Sequence, residues 1–115
     1  MAMQPFDAGV RKHDGQAIID LRGEINSFAD ATLSAAYAEA DQLNPSTILL
    51  NFSDVDYINS TGIALIVGLL AQARKSGRRL LVYGLSDHYV EIFRITRLAD
   101  FMNIYPDEMS ALVAA

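Results

Sequence analysis

The sequence predicts an α/β domain, a mixed sheet of four or five strands packed with about four helices. Three observations lead there. Residues 47–52 and 79–84 are short, nearly continuous apolar runs, the pattern of strands covered on both faces. Segments with helical periodicity separate and follow them. Near the amino end, Asp14-Gly15 joins two β-rich stretches, and this dipeptide suits the positive φ angles of a hairpin turn. Alternating strands and helices give parallel pairing through right-handed crossovers, while the hairpin makes the sheet mixed.

The elements follow in order. Residues 10–13 and 17–23 form the hairpin strands, the second ending at Gly23. Ser27, three residues ahead of Asp30, resembles a capping box at the head of a helix. Its apolar stripe runs through Phe28, Leu33, Ala36, Tyr37, Ala40 and Leu43, and Asn44-Pro45 stops it. Residues 47–52 are a central strand, and 53–60 a polar connection carrying Asp54 and Asp56. Residues 61–76 read as a helix ended by Gly77, with Arg74 and Lys75 in the last turn, where cations meet the negative end of the macrodipole. After the strand 79–84, residues 89–102 have helical periodicity. Asn103–Tyr105 is a short strand, and Pro106 or Asp107 opens a last helix through Met109, Leu112 and Val113.

Composition narrows the function. A chain of 115 residues that is 51% apolar and 20% charged reads as one globular domain spanning 1–115. The absence of cysteine excludes disulfide scaffolds, thiolate metal sites and thiol nucleophiles. Nine Lys plus Arg against fourteen Asp plus Glu argue against a nucleic-acid surface, which neutralises phosphates with cations. Residues 1–7 show neither a cationic start nor an apolar core of a secretory signal. The longest apolar stretch, 62–71, is about half a membrane span. The expectation is a cytoplasmic protein without direct membrane insertion.

Enzymatic and metal motifs find little support. His13 and His88 have no ligand-type neighbour at helical spacing, so no metal site is expected and both read as surface residues. Residues 54–59 lack the alternating ligands and the sixth-position glycine of a calcium loop. Neither lysine, Lys12 or Lys75, lies in a phosphate-cradling loop, and there is no Gly-x-Ser-x-Gly elbow. No cofactor is expected.

One segment retains chemical interest: Tyr57-Ile58-Asn59-Ser60-Thr61-Gly62-Ile63, where the chain leaves a central strand and enters a helix. Free N–H groups at a helix start favour an anion, so a phosphate on Ser60 is well placed. It adds about −1.5 to −2 charges at neutral pH and changes what the loop can dock against. The residues alone leave a plainer alternative open, in which Asn59 or Ser60 only caps the helix. On that helix Ile63, Ile66, Val67 and Leu70 form the expected core stripe. Leu65 and Leu69, with Gly68, are expected to form an exposed apolar patch beside Ser60, unless neighbouring helices cover them.

The element order, together with Leu21-Arg22-Gly23-Glu24-Ile25-Asn26, Ile48-Leu49-Leu50-Asn51-Phe52-Ser53, Tyr57-Ile58-Asn59-Ser60-Thr61-Gly62-Ile63 and Gly77-Arg78-Arg79-Leu80, resembles the STAS family over essentially the whole chain. As a free-standing domain it is most similar to bacterial anti-sigma factor antagonists. The resemblance implies a STAS-like α/β fold and a non-enzymatic regulator that binds a serine kinase acting as an anti-sigma factor. It implies release by phosphorylation at Ser60, with a PP2C-type phosphatase restoring binding. Asp56, Asn59, Thr61 and Gly62 would then form the phosphorylation loop. Asn26, Tyr57, Ile58, Leu65 and Leu69 would belong to the partner surface.

This chain departs from the family in carrying asparagine at 26, 51 and 59, where aspartate is usual. Asparagine keeps the size and hydrogen bonding but not the charge. If the residue before the serine activates its hydroxyl, Asn59 slows transfer; if it caps the helix, asparagine serves equally. Two further classes compete: a phosphorylation-independent interaction subunit, for example of a lipid-transport ABC complex, and a small-ligand or nucleotide binder.

Overall fold

Alternation along the strands divides the residues of the sheet between two unequal cores. In the computed structural model, which describes residues 5–115, the strands are β1 (Asp7–His13), β2 (Gln16–Ile25), β3 (Thr47–Ile58), β4 (Arg79–Tyr83) and β5 (Asn103–Tyr105). They lie side by side in sequence order, β1 antiparallel to β2 and every later pair parallel. Ile19 and Leu21 of β2, Ile48, Leu50 and Phe52 of β3, and Leu80 and Val82 of β4 point to the larger core. Helices α1 (Asp30–Gln42), α2 (Ser60–Lys75) and α3 (Asp87–Ile95) cover that face. Ile18, Leu49, Leu81 and Tyr83 point the other way, onto the short α4 (Glu108–Ala114). The expected mixed sheet with four helices is the fold observed. Residues 1–4, read above for a secretory signal, lie outside the described residues.

Beside α4 the back face turns polar. Asp20, Asn51 and Tyr83 occupy one register row across β2, β3 and β4. Arg11 reaches Asp20 through Nε at 2.6 Å and Glu108 through Nη2 at 2.6 Å, and Asn51 donates to Asp20 at 2.8 Å. The Tyr83 hydroxyl donates to Glu108. This network ties the head of α4 to the hairpin. Among its members Arg11 is pushed up by hydrogen bonds to Asp20 and Glu108, and Tyr83 is pushed up by burial and by its carboxylate partner.

Three segments differ from the sequence reading. The helix cap before α1 is Asn26, whose side chain accepts from Phe28 N at 2.9 Å, not Ser27; Ser27–Ala29 is a 3-10 turn, η1. Phe28, expected on the buried stripe, is 87% exposed because that turn rotates it outward. Residues 53–58 are strand rather than connection. β4 last pairs with β3 at Tyr83 and Asn51, so beyond that row β3 has only β2 beside it and needs no apolar residues. The segment 89–102 is also not one helix. α3 ends at Ile95, Thr96 Oγ1 donates back to Ile92 O at 2.7 Å, and Arg97 adopts a left-handed φ of 68° before a 3-10 turn, η2 (Leu98–Asp100).

Candidate functional site

The tip of β3, the entry to α2 and the end of β2 converge on one point. Ile25 O accepts from Asn59 N at 3.2 Å, which ties the end of β2 to the residue before α2. Asn59 has extended backbone and its Oδ1 accepts from Gly62 N at 2.8 Å, so it is the N-cap. Ser60 is therefore the first helical residue, and it is exposed, as is Thr61. At this position the N–H groups of Ser60 and Thr61 have no carbonyl one turn earlier to bond, and they carry the positive end of the dipole.

Gly62 explains why the helix sits so close. A Cβ built there would lie well inside contact distance of Ile25 O and 2.9 Å from Ile58 Cγ2. Only a glycine lets α2 pack its first turn against the β2 carbonyl while leaving Ser60 outside. Tyr89 of α3 supplies a further clamp. Its buried hydroxyl accepts from Ile58 N at 2.8 Å and lies 3.3 Å from Ile58 O, to which it donates. The backbone two residues before Ser60 is thus held from a different helix. Sequence reading placed Tyr89 on a helical apolar stripe and gave no sign of this role; a polar tip on a buried aromatic was the only signal.

A cleft of about 360 Å³ opens beside the serine, its lining including Tyr57, Asn59, Ser60, Ile63, His88 and Tyr89. Tyr57 is 51% exposed, whereas Ile58 is buried and forms part of the floor. Asp56 is exposed on β3, next to Tyr57 in the chain. His88 and His13 are both exposed. The structure thus brings Tyr57, Ile58, Asn59, Ser60, Thr61 and Gly62 together.

The expected leucine patch is corrected. Leu69 is 4% exposed and lies in the larger core, and Leu65 is half-buried against it. The outward face of α2 instead carries Ala64, Val67, Gly68 and Ala71. The core stripe is Gly62, Ile66, Leu69, Leu70 and Ala73, so the expected Ile66 and Leu70 hold their places while Val67, expected inside, turns outward. Asn26 is also largely buried, at 9%, and its Oδ1 accepts from Phe28 N in the η1 turn. Asn51 faces the back of the sheet, bonded to Asp20 and to Ser53 N, and is not part of the Ser60 cleft.

Comparison with known proteins agrees with this geometry. The STAS domain matches residues 7–111. The anti-sigma-B factor antagonist of Staphylococcus aureus is 29% identical over 86 residues, covering 75% of this chain and 80% of that protein. Among solved structures, an anti-sigma factor antagonist from Mycobacterium paratuberculosis superposes with a TM-score of 0.77 at 21% identity, covering 96% of this chain and 93% of that one. The Bacillus cell fate determinant SpoIIAA in its phosphorylated form gives 0.69 at 20% identity, over 96% and 100% of the two chains. Matched over nearly its entire length, with a serine-bearing helix entry between the third strand and the second helix, the chain belongs to the STAS domain family.

Proposed function

We propose that this chain is a phosphorylation-controlled anti-sigma factor antagonist, a regulator rather than an enzyme, acting in the cytoplasm. Unphosphorylated, it binds a serine kinase that serves as the anti-sigma factor. The kinase transfers the γ-phosphoryl group of ATP to Ser60 Oγ, the hydroxyl proton leaving as the new P–O bond forms, and the complex separates. A PP2C-type phosphatase hydrolyses the phosphoserine and restores binding.

The observation that carries this reading is the exposure of Ser60 as the first residue of α2, beside a cleft and capped by its neighbour. Asn59 keeps the cap that an aspartate would make, so the neutral residue preserves the geometry of the acceptor. A dianion on Ser60 finds the free N–H groups of the first turn, and it changes the charge of a surface that a docked protein must cover. The name of the Staphylococcus relative and the phosphorylated state of the Bacillus structure support the same reading.

The test is incubation with the cognate serine kinase and ATP, followed by mass spectrometry and binding measurement. Phosphate on Ser60, its loss in Ser60→Ala, and at least a several-fold weaker complex for Ser60→Asp are expected. Binding without any phosphate transfer, and with Ser60→Asp unaffected, would replace this reading with a phosphorylation-independent interaction subunit.

A further inference from the structure

Two recesses lie end to end in the seam between α2 and the α3–η2 segment. The first is the cleft beside Ser60. The second, about 340 Å³, has Val67, Leu70, Arg74, Arg97 and Phe101 in its lining, and Thr96 borders both. On α2 the contributing positions 60, 63, 67, 70, 71 and 74 follow helical spacing and share one face. The two recesses therefore form one groove, about 21 Å long at 1.5 Å per residue.

The groove is apolar along its length and positive at the end away from Ser60. Val67 and Phe101 are 45% and 57% exposed on its walls. The Arg74 guanidinium lies 5.4 Å from the centroid of the Phe101 ring, and Lys75 follows it. Among the described residues neither cation has a carboxylate partner, unlike Arg97, which pairs with Asp100 at 2.6 Å. On a chain of net charge −5, an arginine in the groove lining without a carboxylate partner, with Lys75 exposed at the next position of α2, selects an acidic occupant.

We propose that this groove is the docking track for one amphipathic helix of the partner protein, about fourteen residues long, with its carboxylates over Arg74. The identity of that partner rests on the reading of Ser60 given above; the groove's chemistry does not. At the Arg74 end α2 and η2 wall the seam, and at the Ser60 end the Ile58 N–H and C=O of β3 are taken by Tyr89, so an extended peptide would find no partners for its backbone groups along the groove, whereas a helix satisfies its own. Phosphate on Ser60 alters one end of the track. The Arg74 end acts independently of it.

The probe is a synthetic fourteen-residue helical peptide with leucines at positions 1, 4, 8 and 11 and glutamates at one end, titrated into the full chain. A second peptide replaces the glutamates by lysines. The acidic peptide is expected to bind at least tenfold more tightly and to shift the amide signals of Val67, Ala71 and Phe101. Arg74→Glu should reverse that preference. Phe101→Ala should weaken binding several-fold at unchanged melting temperature. Equal affinities, shifts confined to another face, or a second copy of the chain filling the groove at working concentration would overturn the proposal. Kinase labelling of Ser60 in the unsubstituted chain separates the two readings: labelling without peptide discrimination condemns the track alone, and discrimination without labelling condemns the phosphorylation reading alone.

Discussion

Gly62 rests directly on the carbonyl of Ile25, closer than any side chain would allow. The same carbonyl receives Asn59 N, so the end of β2 fixes both the last residue before α2 and its first turn. Ser60 is held between these two anchors by covalent geometry, with no contact of its own required.

Gly62→Ala should therefore be costly out of proportion to one methyl group. The backbone of β2 or α2 must shift, at about 1–3 kcal/mol for an overpacked site. The melting temperature is expected to fall by roughly 3–6 °C per kcal/mol, measured by calorimetry. An unchanged melting temperature would mean the close packing is not maintained in solution.

Replacing Asn59 separates capping from charge. Asn59→Ala removes the bond to Gly62 N and should cost about 1 kcal/mol. Asn59→Asp should retain wild-type stability at neutral pH or exceed it by a few tenths of a kcal/mol, because a carboxylate favours the helix start. If Asn59→Asp also accelerates kinase transfer to Ser60, a carboxylate at this position contributes beyond the cap; equal rates assign it to capping alone.

Tyr89→Phe removes the hydroxyl that Ile58 N–H donates to, in a buried place. Leaving that donor unpaired costs about 1–3 kcal/mol. Hydrogen exchange should quicken at Ile58 and Asn59 more than in the centre of β3, and kinase labelling of Ser60 should change although Tyr89 is not the acceptor.

Acid should loosen the back of the sheet. Glu108 is held below its ordinary value by hydrogen bonds from Arg11 and Tyr83. For Asp20 burial pushes upward, but the bonds from Arg11 and Asn51 together outweigh it and the net direction is down. The unfolded chain, with ordinary carboxylates near pH 4, takes up protons first as pH falls. The stabilisation is thus complete above about pH 5 and is lost as pH drops through the folded values. Glu108→Gln should flatten the acid limb of a stability–pH curve. The effect is modest and weakened by salt, because Arg11 and Glu108 are both more than a third exposed.

The sequence made the elements legible where burial on both sides demanded apolar residues, as at Ile48-Leu49-Leu50 and Leu80-Leu81-Val82. It failed where the structure relaxes that demand. The outer half of β3 has one neighbouring strand and reads as loop. The rotation of α2 was misjudged because nine of its sixteen residues are apolar or alanine and several stripes fit, until α3 and η2 settled which side is covered. The Ser60 entry was readable from local signals, a cap residue and a glycine. Tyr89 and the Arg74–Phe101 end depend on contacts between distant segments, which local pattern does not encode.

Past the row of Asn51 and Tyr83, one margin of β3 runs without a strand alongside it. A bare margin of this kind invites a foreign chain to add itself to the sheet and seed aggregates. Here Asp54 and Asp56 stand exposed along it, and a like-charged copy approaching that margin meets repulsion before any ladder can form. The acidity that makes this stretch look like an ordinary loop also disfavours the pairing of two copies through the strand that presents its serine.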